Sequence, residues 1–257
     1  MNEILDAKCD EAEVIIFWLG QNSFIFKSSH SVVGVDLYLS RVYNREKHLH
    51  ETPLISPDEV VVDYIFCTHD HLDHLDPYTI PYIYERNPEA VFIGTPEGKN
   101  HFRRLGIPEK QAVAMTHCKK LEFGDFMTTA YYSIPKENNP DTTHLGYLFT
   151  FEAGKIYNMG DSDEITAANP VKVLEPVAKE NPYVAILPII GDIPSRTPLH
   201  ALRFAELINP MIVIPSHYGC FEGRNVDPRR FSDLFINHNI KPVIIDYGGN
   251  LKVHQRQ

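Results

Sequence analysis

The sequence predicts one α/β domain spanning residues 1–257, built of β-sheets with helices packed outside them. Three observations predict it. Short apolar runs bounded by turn residues fill the first half, the second half alternates strand and helix patterns, and no Gly/Ser-rich linker, repeat or low-complexity stretch divides the chain.

The first strands are expected at Val14–Leu19, Ser23–Lys27 and Ser31–Leu39, separated by Gly20-Gln21-Asn22 and Ser28-Ser29-His30. Residues 41–58 are polar and without periodicity, hence a long loop, and long loops within compact domains are usually functional or mobile. Tyr64–Cys67 reads as a buried strand that runs into Thr68–Asp76. Short helices are expected at Pro77–Arg86 and Lys99–Leu105 around a strand at Val91–Gly94, with more strand at Gln111–Met115 and within Leu121–Ile134. Leu145–Phe151 and Lys155–Met159, joined by Glu152-Ala153-Gly154, form a hairpin pattern. Strands at Val184–Ile190, Met211–Pro215 and Pro242–Ile245 then alternate with helices at Pro198–Leu207 and Asp227–Asn237.

Composition narrows the function classes. Hydrophobic residues make up 43% and charged residues 23%, which excludes a disordered, collagenous or coiled-coil chain. With 34 acidic against 24 basic side chains the net charge is −10, which argues against nucleic acid and anionic membrane as partners and leaves a small-molecule substrate. Cys9, Cys67, Cys118 and Cys220 show no C-x-x-C spacing, so neither a disulfide framework nor a thiolate zinc site is expected. The amino terminus lacks the basic and apolar regions of a signal peptide, and no apolar run approaches the roughly 20 residues that span a bilayer. A reduced cytoplasmic setting follows as the expectation, with a homo-oligomer as the common quaternary case.

Thirteen histidines are unusual, and their clustering carries the chemistry. Thr68-His69-Asp70-His71-Leu72-Asp73-His74 contains H-x-H-x-D-H directly after an apolar strand. Three imidazoles and a carboxylate within six residues are hard to explain as packing, and imidazole nitrogen with carboxylate oxygen suits zinc, manganese or iron. Further candidates sit at strand ends: Gly160-Asp161-Ser162-Asp163 after one strand, Pro215-Ser216-His217-Tyr218-Gly219 after another, and His144 just before the hairpin.

These motifs, together with Trp18-Leu19-Gly20-Gln21, Val35-Asp36, Glu51-Thr52-Pro53-Leu54, Gly146-Tyr147-Leu148-Phe149 and Tyr247-Gly248-Gly249, resemble the metallo-β-lactamase-fold hydrolases, and within them the L-ascorbate-6-phosphate lactonase group. The likeness runs from residue 18 to residue 249. It implies an αββα sandwich of two mixed sheets with helices on the outer faces and a metal site at one edge. It further implies two divalent ions, manganese or zinc with iron as an option. His69 and His71 would hold one ion, Asp73, His74 and His217 the other, and Asp161 would bridge them. His144 is expected to complete the first position, with His117 as the alternative, and Asp36 to buttress the metal loop without touching an ion.

The implied reaction is hydrolysis by hydroxide held between two ions, with Asp73 and Asp161 as the catalytic carboxylates, acting on a lactone or ester of a sugar-phosphate-like molecule. Arg196 and Arg224 are candidates for the anionic end of such a substrate, and Tyr218 and Tyr132 for the pocket wall. The same ion pair serves phosphoryl centres, so a phosphodiesterase or nuclease is the rival enzyme, and a non-catalytic metal-binding protein is the rival outside enzymes. His48 and His50 read as solvated loop residues rather than caps over the site, and His101 as a structural or surface residue.

Overall fold

The computed structural model describes residues 4, 6–42, 46–189 and 197–254. Two seven-stranded sheets stack face to face. In spatial order the first contains β14 (Asn250–His254), β1 (Glu13–Trp18), β2 (Phe24–Lys27), β3 (Val32–Val35), β4 (Tyr64–Phe66), β5 (Val91–Gly94) and β6 (Ala112–Ala114). The second contains β13 (Lys241–Pro242), β12 (Ile212–Ser216), β11 (Val184–Pro188), β10 (Gly154–Asn158), β9 (His144–Phe151), β8 (Phe126–Ile134) and β7 (Lys120–Phe123). Both are mixed: β14 to β3 pair antiparallel and β3 to β6 parallel, while β7 to β10 pair antiparallel and β10 to β13 parallel.

Period-two alternation sets the layers. Along β1, Val14, Ile16 and Trp18 enter the core between the sheets, whereas Ile15, Phe17 and Leu19 face a second core beneath the helices. Phe24 and Phe26 of β2, Phe66 of β4 and Phe149 of β9 meet edge-on or tilted in the inter-sheet layer, with Phe66 and Phe149 centroids 5.0 Å apart. A sheet buried on both faces needs apolar residues at every position, which is why β1 reads as one apolar run. The helices α1 (Ile80–Arg86) and α2 (Pro96–Arg104) bury Ile80, Ile83 and Phe102 in the outer core of the first sheet. Outside the second sheet lie α3 (Glu164–Ala168), α4 (Val171–Ala178), α5 (Pro198–Ile208) and α6 (Arg229–Ser232), with α4 against β8 and α5 against β11. This is the αββα sandwich that the resemblance implies. No helix among the described residues is long and apolar enough to cross a membrane.

Several sequence expectations shift. The strand expected over Ser31–Leu39 stops at Val35, because Asp36 turns to φ +46°. The stretch Leu121–Ile134 is a hairpin of β7 and β8. The helix expected at Asp227–Asn237 is only α6 followed by a 3-10 turn at Asp233–Phe235. Strand pairing near Pro242–Ile245 is confined to Lys241–Pro242. Helices α3 and α4 and the edge strand β14 were not anticipated. Asn169-Pro170 and the internal Pro176 mask the helical pattern, and β14 buries only Val253 fully.

Candidate metal centre

Every loop that bears a candidate ligand reaches the same edge of the sandwich. Thr68–His74 follows β4, Met159-Gly160-Asp161 follows β10 and His217 follows β12 at their carboxyl ends, while His144 opens β9, which runs antiparallel to β10. Carboxyl ends of parallel strands are where binding groups commonly gather in such sheets. Two contacts lock the edges together. Leu145 N donates to Thr68 O at 3.0 Å, tying the start of β9 to the metal loop. Gly160, at φ +68°, lies so close to Thr68 that a Cβ there would stand 2.8 Å from the Thr68 Cβ, so only glycine allows the approach. His217 also holds a left-handed φ of 63°, a conformation that non-glycine residues keep mainly where surrounding structure enforces it.

Three donor groups converge, the ligand atoms of each lying within 4.8 Å of one another: His69, His71 and His144; His69, His74 and Asp161; and Asp73, His74 and His217. His69 Nε2 is 3.0 Å from His71 Nδ1, and the His69 and His144 rings stack at 4.2 Å. Asp161 faces both sides. Its Oδ2 is 3.8 Å from His69 Nε2, while its Oδ1 is 2.9 Å from His217 Nε2 and 3.5 Å from His74 Nε2. Asp73 Oδ2 stands 4.0 Å from His74 Nε2 and 3.9 Å from His217 Nε2. Donors bonded to one ion at about 2.0–2.2 Å stand roughly 3–4 Å from each other, so the residues present fit divalent ions. His74 Nε2 is buried with no hydrogen-bond partner among the described residues, as a nitrogen reserved for an ion would be.

Beneath the donors sits Asp36, fully buried. It accepts from Asn22 Nδ2, Thr68 N and Thr68 Oγ1, each at 2.7 Å, and from His74 Nδ1 at 2.6 Å. The bond to Nδ1 turns His74 Nε2 toward the centre. Burial disfavours a charged His74, yet Asp36, Asp161 and Asp73 together overcome it and raise its pKa to about 9. His69 goes the other way: burial first, then the neighbouring His74 and His144, hold it well below the usual value and so neutral, its lone pair available.

A pH dependence follows. The folded His74 pKa exceeds its unfolded value of 6.5, so its contribution to metal-free stability is complete below pH 6.5 and is lost as pH rises to about 9. His69 contributes above pH 6.5 and loses that as pH falls below it. The chelator-treated protein is therefore expected to be less stable at pH 9 than at pH 6.5, by on the order of 3 kcal/mol, and to melt at a lower temperature. A melting temperature independent of pH across that window would contradict the charged His74–Asp36 pair.

The other candidates separate. His117 belongs to none of the donor groups. It stacks on Tyr132 at 4.4 Å and accepts from Tyr132 N, in a small depression lined also by Pro135, Val173 and Pro176, so both residues are engaged away from the ligands. Tyr218 is buried and stacked on Trp18 at 4.5 Å, and burial pushes its hydroxyl pKa up. Arg224 pairs with Glu46 at 3.1 Å and lies over the Phe221 ring. Arg196 lies outside the described residues. His48 is half-buried with its Nε2 2.9 Å from the Tyr38 hydroxyl, while His50 is exposed, as expected, and stacks on Tyr247 at 3.9 Å. His101 meets Asp70 of the metal loop at 2.5 Å. Residues that sequence reasoning passed over include Asn22 and Thr68, which hold Asp36, and Gln21, which touches Asp73 and His217. The sequence signal for Gln21 and Asn22 was consecutive polar residues in a glycine turn after an apolar strand, and for Thr68 its place at the head of the histidine motif.

Fold and donor set together define the class, a metallo-β-lactamase-fold protein with His/Asp clusters able to bind metal. The beta-lactamase superfamily domain matches residues 15–217, and the chain belongs to that family. It is 26% identical over 93% of its length to a UPF0173 metal-dependent hydrolase of Pyrobaculum islandicum, of which it covers 99%. It is 23% identical to the "Probable L-ascorbate-6-phosphate lactonase UlaG" of Escherichia fergusonii, over 91% of this chain and 73% of that one. In structure it is similar to Igni18, a metallo hydrolase of Ignicoccus hospitalis, with a TM-score of 0.73 and 17% identity, over 95% of this chain and all of that one.

Proposed function

We propose that this metal-dependent hydrolase uses two divalent ions to open a lactone or related ester of a small anionic molecule. The observation that carries the reading is Asp161, whose two oxygens face opposite donor sets: His69 with His71 and His144 on one side, His74 with His217 and Asp73 on the other. Bound there, a pair of ions of the Mn, Zn or Fe kind activates water at neutral pH and stabilises negative charge on an oxygen under attack. The chain's own groups do the rest. Neutral His69 presents a fixed lone pair, the Asp36-anchored His74 turns its Nε2 to the centre, where an ion would take the place of its proton, and Asp73 is the carboxylate best placed to take and hand on a proton. Arg41 is a further candidate for the anionic end of the substrate. Its guanidinium donates to Tyr38 O at 2.7 Å and to the Tyr247 hydroxyl at 3.0 Å, and Tyr247 in turn covers Gly20 beside Gln21. Among the described residues Arg41 forms no ion pair, while Arg224 is already paired.

Elemental analysis of protein purified without chelator tests the reading first: about two equivalents of Mn, Zn or Fe per chain are expected. Hydrolysis of phosphorylated lactones is then screened before phosphodiesters. His69→Ala should abolish hydrolysis while an ion is retained at Asp73, His74 and His217. A fully active His69→Ala protein, or a native chain that takes up no metal, would overturn the proposal.

A further inference from the structure

We propose that Gln21 is a positioning residue for the second donor set, its side-chain amide holding Asp73 and His217 in ligating arrangement. The inference rests on the two-ion reading above. Gln21 is 1% exposed and stands in the turn after β1, 52 positions from Asp73 and 196 from His217. Its Nε2 lies 2.9 Å from Asp73 Oδ2 and 2.9 Å from His217 Nε2. An ionised carboxylate only accepts hydrogen bonds, so the NH₂ end of the amide must be the end that faces Asp73. One N–H then serves Asp73, and the other faces His217 Nε2, which also stands 2.9 Å from Asp161 Oδ1. The amide thus spans two donors 3.9 Å apart and keeps both turned to the centre.

The backbone shows that the placement is built. Gln21 adopts φ 53°, which a long side chain seldom does without enforcement. Enforcement comes from three bonds: Gln21 N to Tyr218 O at 2.9 Å, His217 N to Gln21 O at 2.9 Å, and Trp18 Nε1 to Gln21 O at 3.1 Å. The turn after β1 and the loop after β12 are thus hydrogen-bonded to each other, and Gln21 is the side chain through which they reach Asp73 on the metal loop. Binding an ion claims the His217 lone pair and leaves the bond to Asp73, so the amide prepares the site before loading and orients the carboxylate afterwards.

Chelator competition on Mn- or Zn-loaded protein, with metal content measured at each step, tests this. Gln21→Asn is the informative variant, because asparagine tolerates a left-handed φ better than glutamine but is one methylene short of Asp73. It is expected to weaken one ion about ten- to hundred-fold and leave the other unchanged. Affinities for both ions indistinguishable from the native protein would overturn the inference while leaving the two-ion reading intact. If the native chain holds a single ion, the two-ion reading falls; the inference survives only if Gln21→Asn weakens that ion. Should Gln21→Asn not fold, Gln21→Glu decides. It keeps the reach but sets like charge against Asp73, so the metal-free melting temperature should fall and metal should restore more of it than in the native protein. An unchanged metal-free melting temperature would sink the proposal.

Discussion

Asp161→Asn is expected to lower kcat/KM for hydrolysis by about a thousand-fold or more and to reduce bound metal from two ions to one or none. The size follows from what the residue serves. Ion-assisted stabilisation of the transition state amounts to several kcal/mol, each 1.36 kcal/mol being about tenfold in rate. Among the described residues Asp161 is the only side chain whose two oxygens address both donor sets, at 3.8 Å from His69 Nε2 and 2.9 Å from His217 Nε2. An amide in its place offers one oxygen and one NH₂, and the NH₂ cannot ligate. Removing the carboxylate also withdraws one of the three charges that raise His74, so the metal-free protein should lose part of its pH dependence between 6.5 and 9. Steady-state kinetics with metal analysis on the same preparation checks this. A variant that keeps two ions and near-native turnover would show that Asp161 does not bridge.

Asp36→Asn should destabilise the metal-free protein by about 3 kcal/mol, within the range for breaking a buried charge pair. For a chain of this length that is a drop in melting temperature of roughly 10 °C. Backbone strain is not the reason, because asparagine is at home at the positive φ of residue 36. The loss comes from the acceptor. Asn22, Thr68 and His74 all donate to the Asp36 carboxylate, and an amide turns at least one of those contacts donor against donor. Thr68 and His74 also carry the metal loop, so metal affinity should fall together with stability. Thermal unfolding with and without metal separates the two effects, and a native melting temperature in both states would refute the account.

How much of this was legible in the sequence depends on how local each feature is. His69, His71, Asp73 and His74 were legible because they sit within six residues after an apolar strand, where geometry is short-range. Asp161, His217 and His144 were legible only as strand-end residues, each weak alone. The choice between His144 and His117 had no answer in the sequence, because it turns on register. Pairing of Ile134 with His144, and the bond from Leu145 to Thr68, bring His144 to the metal loop, while His117 is drawn onto Tyr132. The ring partners of His48 and His50 were hidden for a related reason: Phe221 and Tyr247 come from distant segments, although His50 stays exposed as expected.

The sequence by itself determined the chemistry on offer, imidazole and carboxylate at strand ends in an acidic α/β chain, because residue type and the local apolar pattern are properties of short stretches. Only the tertiary structure decided the assembly. Asp36 reaches His74 across 38 positions and Gln21 reaches His217 across 196, because two sheets pack with their loop-bearing edges aligned. Such contacts depend on twist, register and layer packing summed over the whole chain, and no single stretch of sequence encodes them.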